Sequence, residues 1–154
     1  MNKNDAYFMD QALIEANHAA IIGEVPIGAI IVQDDQIVGR GHNLREHTEM
    51  GTEHAEIVAI EEACANLKSW RLNDCEMFVT VEPCLMCAGA IINTRIKRLV
   101  YGSKNENAGA VESLYHTLND PRQNHQVRVS SGLRAAQAGA IMKKFFKDKR
   151  KHRK

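Results

Sequence analysis

Long apolar runs are missing from this 154-residue chain; none approaches the ~20 residues a helix needs to span a bilayer. Its first residues, MNKNDAYFMD, lack the basic and apolar segments of a secretory signal. The two absences predict a cytoplasmic protein with no membrane partner. Cysteine is scarce, and without a secretory signal the four thiols are expected to stay reduced, free for a metal or for catalysis. Proline is scarcer still, at three residues, and no Pro/Gly/Ser linker, low-complexity block or internal repeat marks a domain boundary. Aromatic residues make up only 5%, beside 44% hydrophobic and 25% charged, the balance of an ordinary globular chain. Residues 1–154 therefore read as a single domain, long enough to bury a core.

Charge is unevenly placed. From Lys143 to the end, KKFFKDKRKHRK holds eight Lys/Arg and one Asp, on a body whose net charge is −6. A cationic end of about residues 143–154 suits a polyanion, although a solubilising tail looks the same by charge alone.

Periodicity supplies the elements. Met9, Ala12, Leu13, Ala16, Ala19 and Ala20 recur at helical spacing between Asp5 and Ile22, with Gly23 as the stop. GAIIVQ (28–33) and QIVGRGHN (36–43) read as strands joined at Asp34-Asp35, and 44–53 as a polar loop. Residues 54–67 read as a helix, 76–81 as a strand, and Pro83 as the opening of a helix to about Asn93. A strand at 98–102, a short helix at Ser113–Leu118, a strand at 126–132 and a closing helix from Leu133 to about Arg150 complete the set. Strands alternating with helices after an opening hairpin predict an α/β domain, with helices flanking a mixed sheet.

The chemistry-bearing segment is VEPCLMCAGA (81–90), which holds the one Cys-x-x-Cys of the chain. Two thiols cannot close a tetrahedral site. HAE (54–56) opens another helix, and both helix starts can point to one end of the sheet. Cys84 and Cys87 share a helix face, and a helix N-terminus favours the thiolate that a metal needs. With His54 they make three N/S donors and leave a fourth position open, the pattern of a catalytic zinc. Iron and cobalt remain compatible with the same donors. Cys64 lies ten residues beyond His54, about 15 Å along the helix axis, and Cys75 at the far end of a strand. Both read as structural. Glu56, two residues after His54, can take a proton from an activated water, although a first-turn Glu is also common as a partner of the helix dipole.

In this order, H-x-E…P-C-x-x-C resembles the signature of the zinc nucleobase deaminases, members of the cytidine deaminase-like superfamily. That resemblance implies hydroxide generated at zinc, with Glu56 moving the proton to the ring nitrogen and helping ammonia leave. The likeness extends along the chain. EVPIGAII (24–31), GHN (41–43), HAEIVAI (54–60), SWRL (69–72), VTVEPCLMCAGAII (79–92), RIKRLVYG (95–102), SLY (113–115), NH (124–125) and the basic Phe-Phe end are similar to the bacterial tRNA-specific adenosine deaminases.

This resemblance implies a three-layer, five-stranded mixed sheet, one Zn2+ per subunit, a homodimer, and conversion of adenosine to inosine at the wobble position of an arginine tRNA. It makes His54, Cys84 and Cys87 ligands, Glu56 the proton shuttle, and Asn43 the group that hydrogen-bonds the flipped base. Phe145 and Phe146, one of them expected near the substrate, match aromatics beside the RNA path. Asn105, Lys147, Lys149 and Arg150 fall near the expected phosphates. Departures are Gly51-Thr52-Glu53 for the usual Pro-Thr-Ala, Gln126 for Arg, and Asn105 for the Asp of many relatives. A neutral Asn105 removes repulsion from a phosphate and predicts greater tolerance of a DNA anticodon loop. Three other readings stay open: a deaminase of a free base or nucleoside, a nucleic-acid-binding protein with a structural zinc, and a redox pair at CLMC.

Overall fold

The computed structural model describes residues 3–151, so the last three residues of the expected tail lie outside the described residues. Ten elements follow one another. They are α1 (Lys3–Ile21), β1 (Gly28–Gln33), β2 (Gln36–His42), α2 (Arg45–Thr48), α3 (Ala55–Leu67), β3 (Cys75–Val81), α4 (Leu85–Asn93), β4 (Arg98–Ser103), β5 (Arg128–Ser131) and α5 (Ala135–Lys151). The sheet runs β2-β1-β3-β4-β5, with β1 antiparallel to both neighbours and β3, β4 and β5 parallel. The expected five-stranded mixed sheet is there.

Strand alternation builds two cores. Ala29, Ile31, Met77, Val79, Leu99 and Tyr101 face α3 and α4, meeting Ala55, Ala59, Ala63, Ala88 and Ile91. The intervening Ile30, Val32, Phe78 and Val100 face the other way, against Phe8, Met9 and Ala12 of α1. Strands buried on both faces need unbroken apolar runs, which is why GAIIVQ and EMFVTV read as they do. Each fully buried large side chain, Phe78 and Met9 among them, contributes roughly 1.5–3 kcal/mol. Helix α5 packs beside α1 and over β3 and β4. Both sheet edges, β2 and the four-residue β5, carry exposed polar positions that discourage further pairing.

Small residues decide how closely α3 lies on β2. A Cβ at Gly39 or Gly41 would overlap the carbonyl oxygens of Ala59 and Ala55, so bare backbone is required there. Helix α3 is thereby pressed flat, and its first turn is brought to the end of the sheet where β1 begins and β2, β3 and β4 finish.

Two local expectations fail. The polar loop 44–53 contains a helical turn, α2, and residues 113–118 form turns instead of a helix. In each place a buried carboxylate from elsewhere takes the backbone N–H groups. Glu24, 1% exposed, accepts from Glu46 at 3.2 Å and from His47 at 2.8 Å, with the His47 ring at 2.6 Å. Glu82, 2% exposed, accepts from Val111, Glu112 and Ser113.

Burial pushes the Glu24 carboxyl up, but the His47 ring and the two N–H groups outweigh it and hold its pKa below the ordinary 4.5. A folded-state pKa below the unfolded value means stability present above about pH 4.5 and lost as pH falls through the lowered value. Thermal melts between pH 3 and 7 are expected to show that acid-side loss, and Glu24→Gln should flatten it while lowering stability at neutral pH.

Candidate functional site

His54 and Cys84 occupy the positions just before α3 and α4, both with extended backbone (φ −79°, ψ 158° and φ −77°, ψ 178°). Extended backbone there turns both side chains inward over the helix starts, instead of along the helix surface. Cys87, three residues on, is fully buried beneath them. His54 Nδ1 lies 3.6 Å from the sulfur of Cys84 and 3.6 Å from that of Cys87. Zn–N and Zn–S bonds of ~2.0–2.1 and ~2.3 Å at tetrahedral angles put nitrogen and sulfur about 3.6 Å apart. The donor set therefore fits such a cation in both chemistry and spacing.

No fourth protein donor joins the three among the described residues. Cys64 packs half-buried against the core, and burial raises the thiol of fully buried Cys75 to about 11. Both are inert packing residues. A hydrogen bond from Cys87, then one from His54, outweigh burial and pull the Cys84 thiol down to about 3. Cys87, which carries the shared proton and is buried, is raised, and the Cys84 sulfur raises His54.

Glu56 is 4% exposed. Burial first, then the charge on Cys84, lift its carboxyl to about 7. A carboxyl poised near neutrality can both accept and return a proton.

These groups open onto a cavity of about 300 Å³. Asn43, buried, lines it from the end of β2, and Asn105, Asn107 and Ala108 line it from the segment after β4. Phe146 and Met142 reach it from α5, and Arg45 from α2. Phe145 points elsewhere, into a groove between α1 and α5 with Ile21 and Ile141, and the Lys149 ammonium sits 5.4 Å from its ring. Arg150 and Lys147 flank the outer side of Phe146. Asn105 spends its side-chain oxygen on the N–H of Ala108 at 3.1 Å, a bond that an Asp would keep. Gln126 donates to the carbonyls of Asp120 and Gln123, and is thus engaged within its own turn.

Sequence reasoning missed Arg45 and Glu82 as lining residues. Their signals were weak: Arg45 stands two residues after Asn43, and Glu82 directly before Pro83. Two histidines near the site have structural partners. His47 donates to Glu24, and His42 donates to Glu15 at 2.9 Å on a carboxylate that also binds Arg40.

Residues 2–150 match the model of the MafB19-like deaminase family. A tRNA-specific adenosine deaminase of Streptococcus pyogenes serotype M1 is 47% identical over 152 residues, 99% of this chain and 89% of that one. One from Bacillus subtilis is 41% identical over 150 residues, 97% of this chain and 93% of that one. A solved structure from studies of A-to-I editing by tRNA:A34 deaminases at the wobble position of transfer RNA superposes with a TM-score of 0.84. It is 41% identical and covers 88% of this chain and 98% of that chain.

Proposed function

The chain belongs to the MafB19-like deaminase family and to the tRNA-specific adenosine deaminases, and we infer from that premise what it does with its cleft. Its reaction is the hydrolytic deamination of adenosine to inosine at the wobble position of a transfer RNA. The observation that carries this reading is one cavity joining His54, Cys84, a buried Glu56, Asn43 and Phe146.

The roles follow from chemistry. His54, Cys84 and Cys87 hold one zinc ion per subunit, which when bound supplies an activated water at neutral pH. Glu56 would take one proton from the attacking water as its oxygen bonds to C6, and deliver that proton to N1 of the purine. It would then pass the remaining hydroxyl proton to the amine, which leaves as ammonia as the C6 carbonyl forms. Asn43 offers an amide donor and acceptor to the edge of a base that has left its stack. A single-stranded loop presents such a base at low cost, because no pairing has to be broken. Phe146 offers a face for a neighbouring base. Arg45, Lys147, Lys149 and Arg150 bring positive charge to the phosphates.

Phe146→Ala is expected to raise KM for an anticodon stem-loop roughly tenfold, the scale of one lost stacking contact. Phe145→Ala, on the far side of α5, should stay within about twofold in the same steady-state assay.

Residues 1–154 act as one catalytic domain whose basic end follows the RNA, with an arginine tRNA as substrate and the cytoplasm as location. No helix among the described residues is long and apolar enough to cross a membrane. The protein works as a homodimer, a reading supported by the apolar outer face of α4. Leu85 is 52% exposed there, beside Met86, Ile92 and Ile57 of α3, and Leu114 and Tyr115 are exposed as well.

The deciding experiment follows ammonia release and inosine formation on an anticodon stem-loop, beside free adenosine, guanine, cytosine and cytidine. Inosine from the stem-loop alone supports the assignment. Turnover of a free base with the stem-loop untouched overturns it. A DNA stem-loop run in parallel, with Asn105→Asp, tests the role of that amide; the variant should lose activity on DNA.

A further inference from the structure

Glu82 takes no part in the proton chemistry above, yet its carboxylate gathers five hydrogen-bond donors. Its side chain turns from the end of β3 into the loop between Lys104 and Ser113. Oε2 accepts the N–H groups of Val111 at 3.0 Å, Glu112 at 2.8 Å and Ser113 at 2.9 Å. Oε1 accepts the N–H of Asn105 at 3.1 Å and the hydroxyl of Ser113. The loop closes around this carboxylate without a gap. A Cβ at Gly109 would overlap the Glu82 carboxyl and the Asn105 carbonyl, and Ala110 N–H donates to the Pro83 carbonyl at 2.8 Å. Backbone N–H groups converging on one anion form the kind of nest that fixes a loop as firmly as regular structure does.

That loop is one wall of the cleft, through Asn105, Asn107 and Ala108. Asn43 lines the same cleft from the end of β2. Only Pro83 separates Glu82 from Cys84 in sequence, so one short stretch carries both a metal donor and the post on which the wall hangs. We propose that Glu82 is a positioning residue that sets the width of the substrate cleft by holding the 104–113 loop at a fixed distance from the metal-donor trio. This rests on the reading of the cavity as the substrate site. Both carboxylate oxygens are taken up by the loop. The side chain acts through Asn105, Asn107 and Ala108, and its loss weakens binding of the base and its neighbours before it slows the chemical step.

Glu82→Gln is the informative change, being equal in size. It keeps one acceptor oxygen but turns an amide N–H group toward backbone donors that need an acceptor. In the full-length, zinc-loaded protein, KM for the stem-loop is expected to rise at least tenfold while kcat falls no more than about threefold, with zinc content retained at one per subunit. Gly109→Ala presses on the same carboxylate from the loop side and should raise KM in the same direction. The double variant should fall short of the product of the two effects, since both act on one contact.

A KM within twofold of wild type for a zinc-loaded Glu82→Gln protein overturns the proposal. So does an unchanged KM for Gly109→Ala, should Glu82→Gln fail to fold or to load. If the wild type turns over a free base and not the stem-loop, the functional reading fails separately. The same KM comparison on that base then decides the role of Glu82.

Discussion

Glu56→Gln is expected to lower inosine formation roughly 10²–10⁴-fold, the scale of a lost general acid–base group. Zinc content and affinity for the stem-loop should stay near those of the wild type. The side chain is 4% exposed and surrounded by the metal donors, so an equal-sized amide leaves the packing intact. What it removes is the ability to take a proton from water and return it to N1 and then to the amine. A carboxyl at about 7 does both at neutral pH, whereas an amide does neither. Single-turnover inosine formation, metal analysis and a stem-loop titration check the three parts together. Retained turnover would make Glu56 a mere first-turn acid at the start of α3. Loss of folding along with activity would make it a packing residue.

Removing the metal has the second largest effect. A chelator should reduce deamination to background, and stoichiometric Zn2+ should restore it. The fold should report the same event. A ligand present at a thousandfold over its dissociation constant adds about 4 kcal/mol to stability. For a chain of this length that amounts to roughly 10 °C in melting temperature. The metal-free protein is thus expected to melt roughly 10 °C lower while keeping its far-ultraviolet spectrum. A melting temperature indifferent to chelation would mean that His54, Cys84 and Cys87 do not hold an ion.

Much of the fold was legible because its determinants are local. Apolar spacing placed α1, α3 and α5, and runs such as GAIIVQ could only be strands buried on both faces. The clustering of His54, Cys84 and Cys87 was legible too, since His54 and Cys84 stand just before helices and Cys87 lies in the first turn of α4. What escaped was set at long range. At residues 111–113 three successive N–H groups converge on one oxygen of a carboxylate about thirty residues earlier in the chain, and the chain turns there where a short helix was expected. In the same way Glu24 commits the N–H groups of Glu46 and His47 more than twenty residues ahead, and α2 follows. Periodicity has no means of announcing an acceptor that arrives from another strand. Phe145 and Phe146 illustrate a milder limit. Neighbours on a helix differ by about 100° in direction, so only one was expected at the cleft, and only packing determines which.

The two residues that precede α3 and α4 have a cost for the chain as a whole. Those positions usually go to Ser, Thr, Asp or Asn, whose side chains bond the free N–H groups and stabilise a helix by about 1 kcal/mol each. Here they hold an imidazole and a thiol, and neither makes a side-chain capping bond. An ion held by His54, Cys84 and Cys87 would change that account. It would join segments up to 33 positions apart, much as a covalent staple does. The two helix starts would then fray together or not at all, and cross-linking would restore what the missing caps forgo.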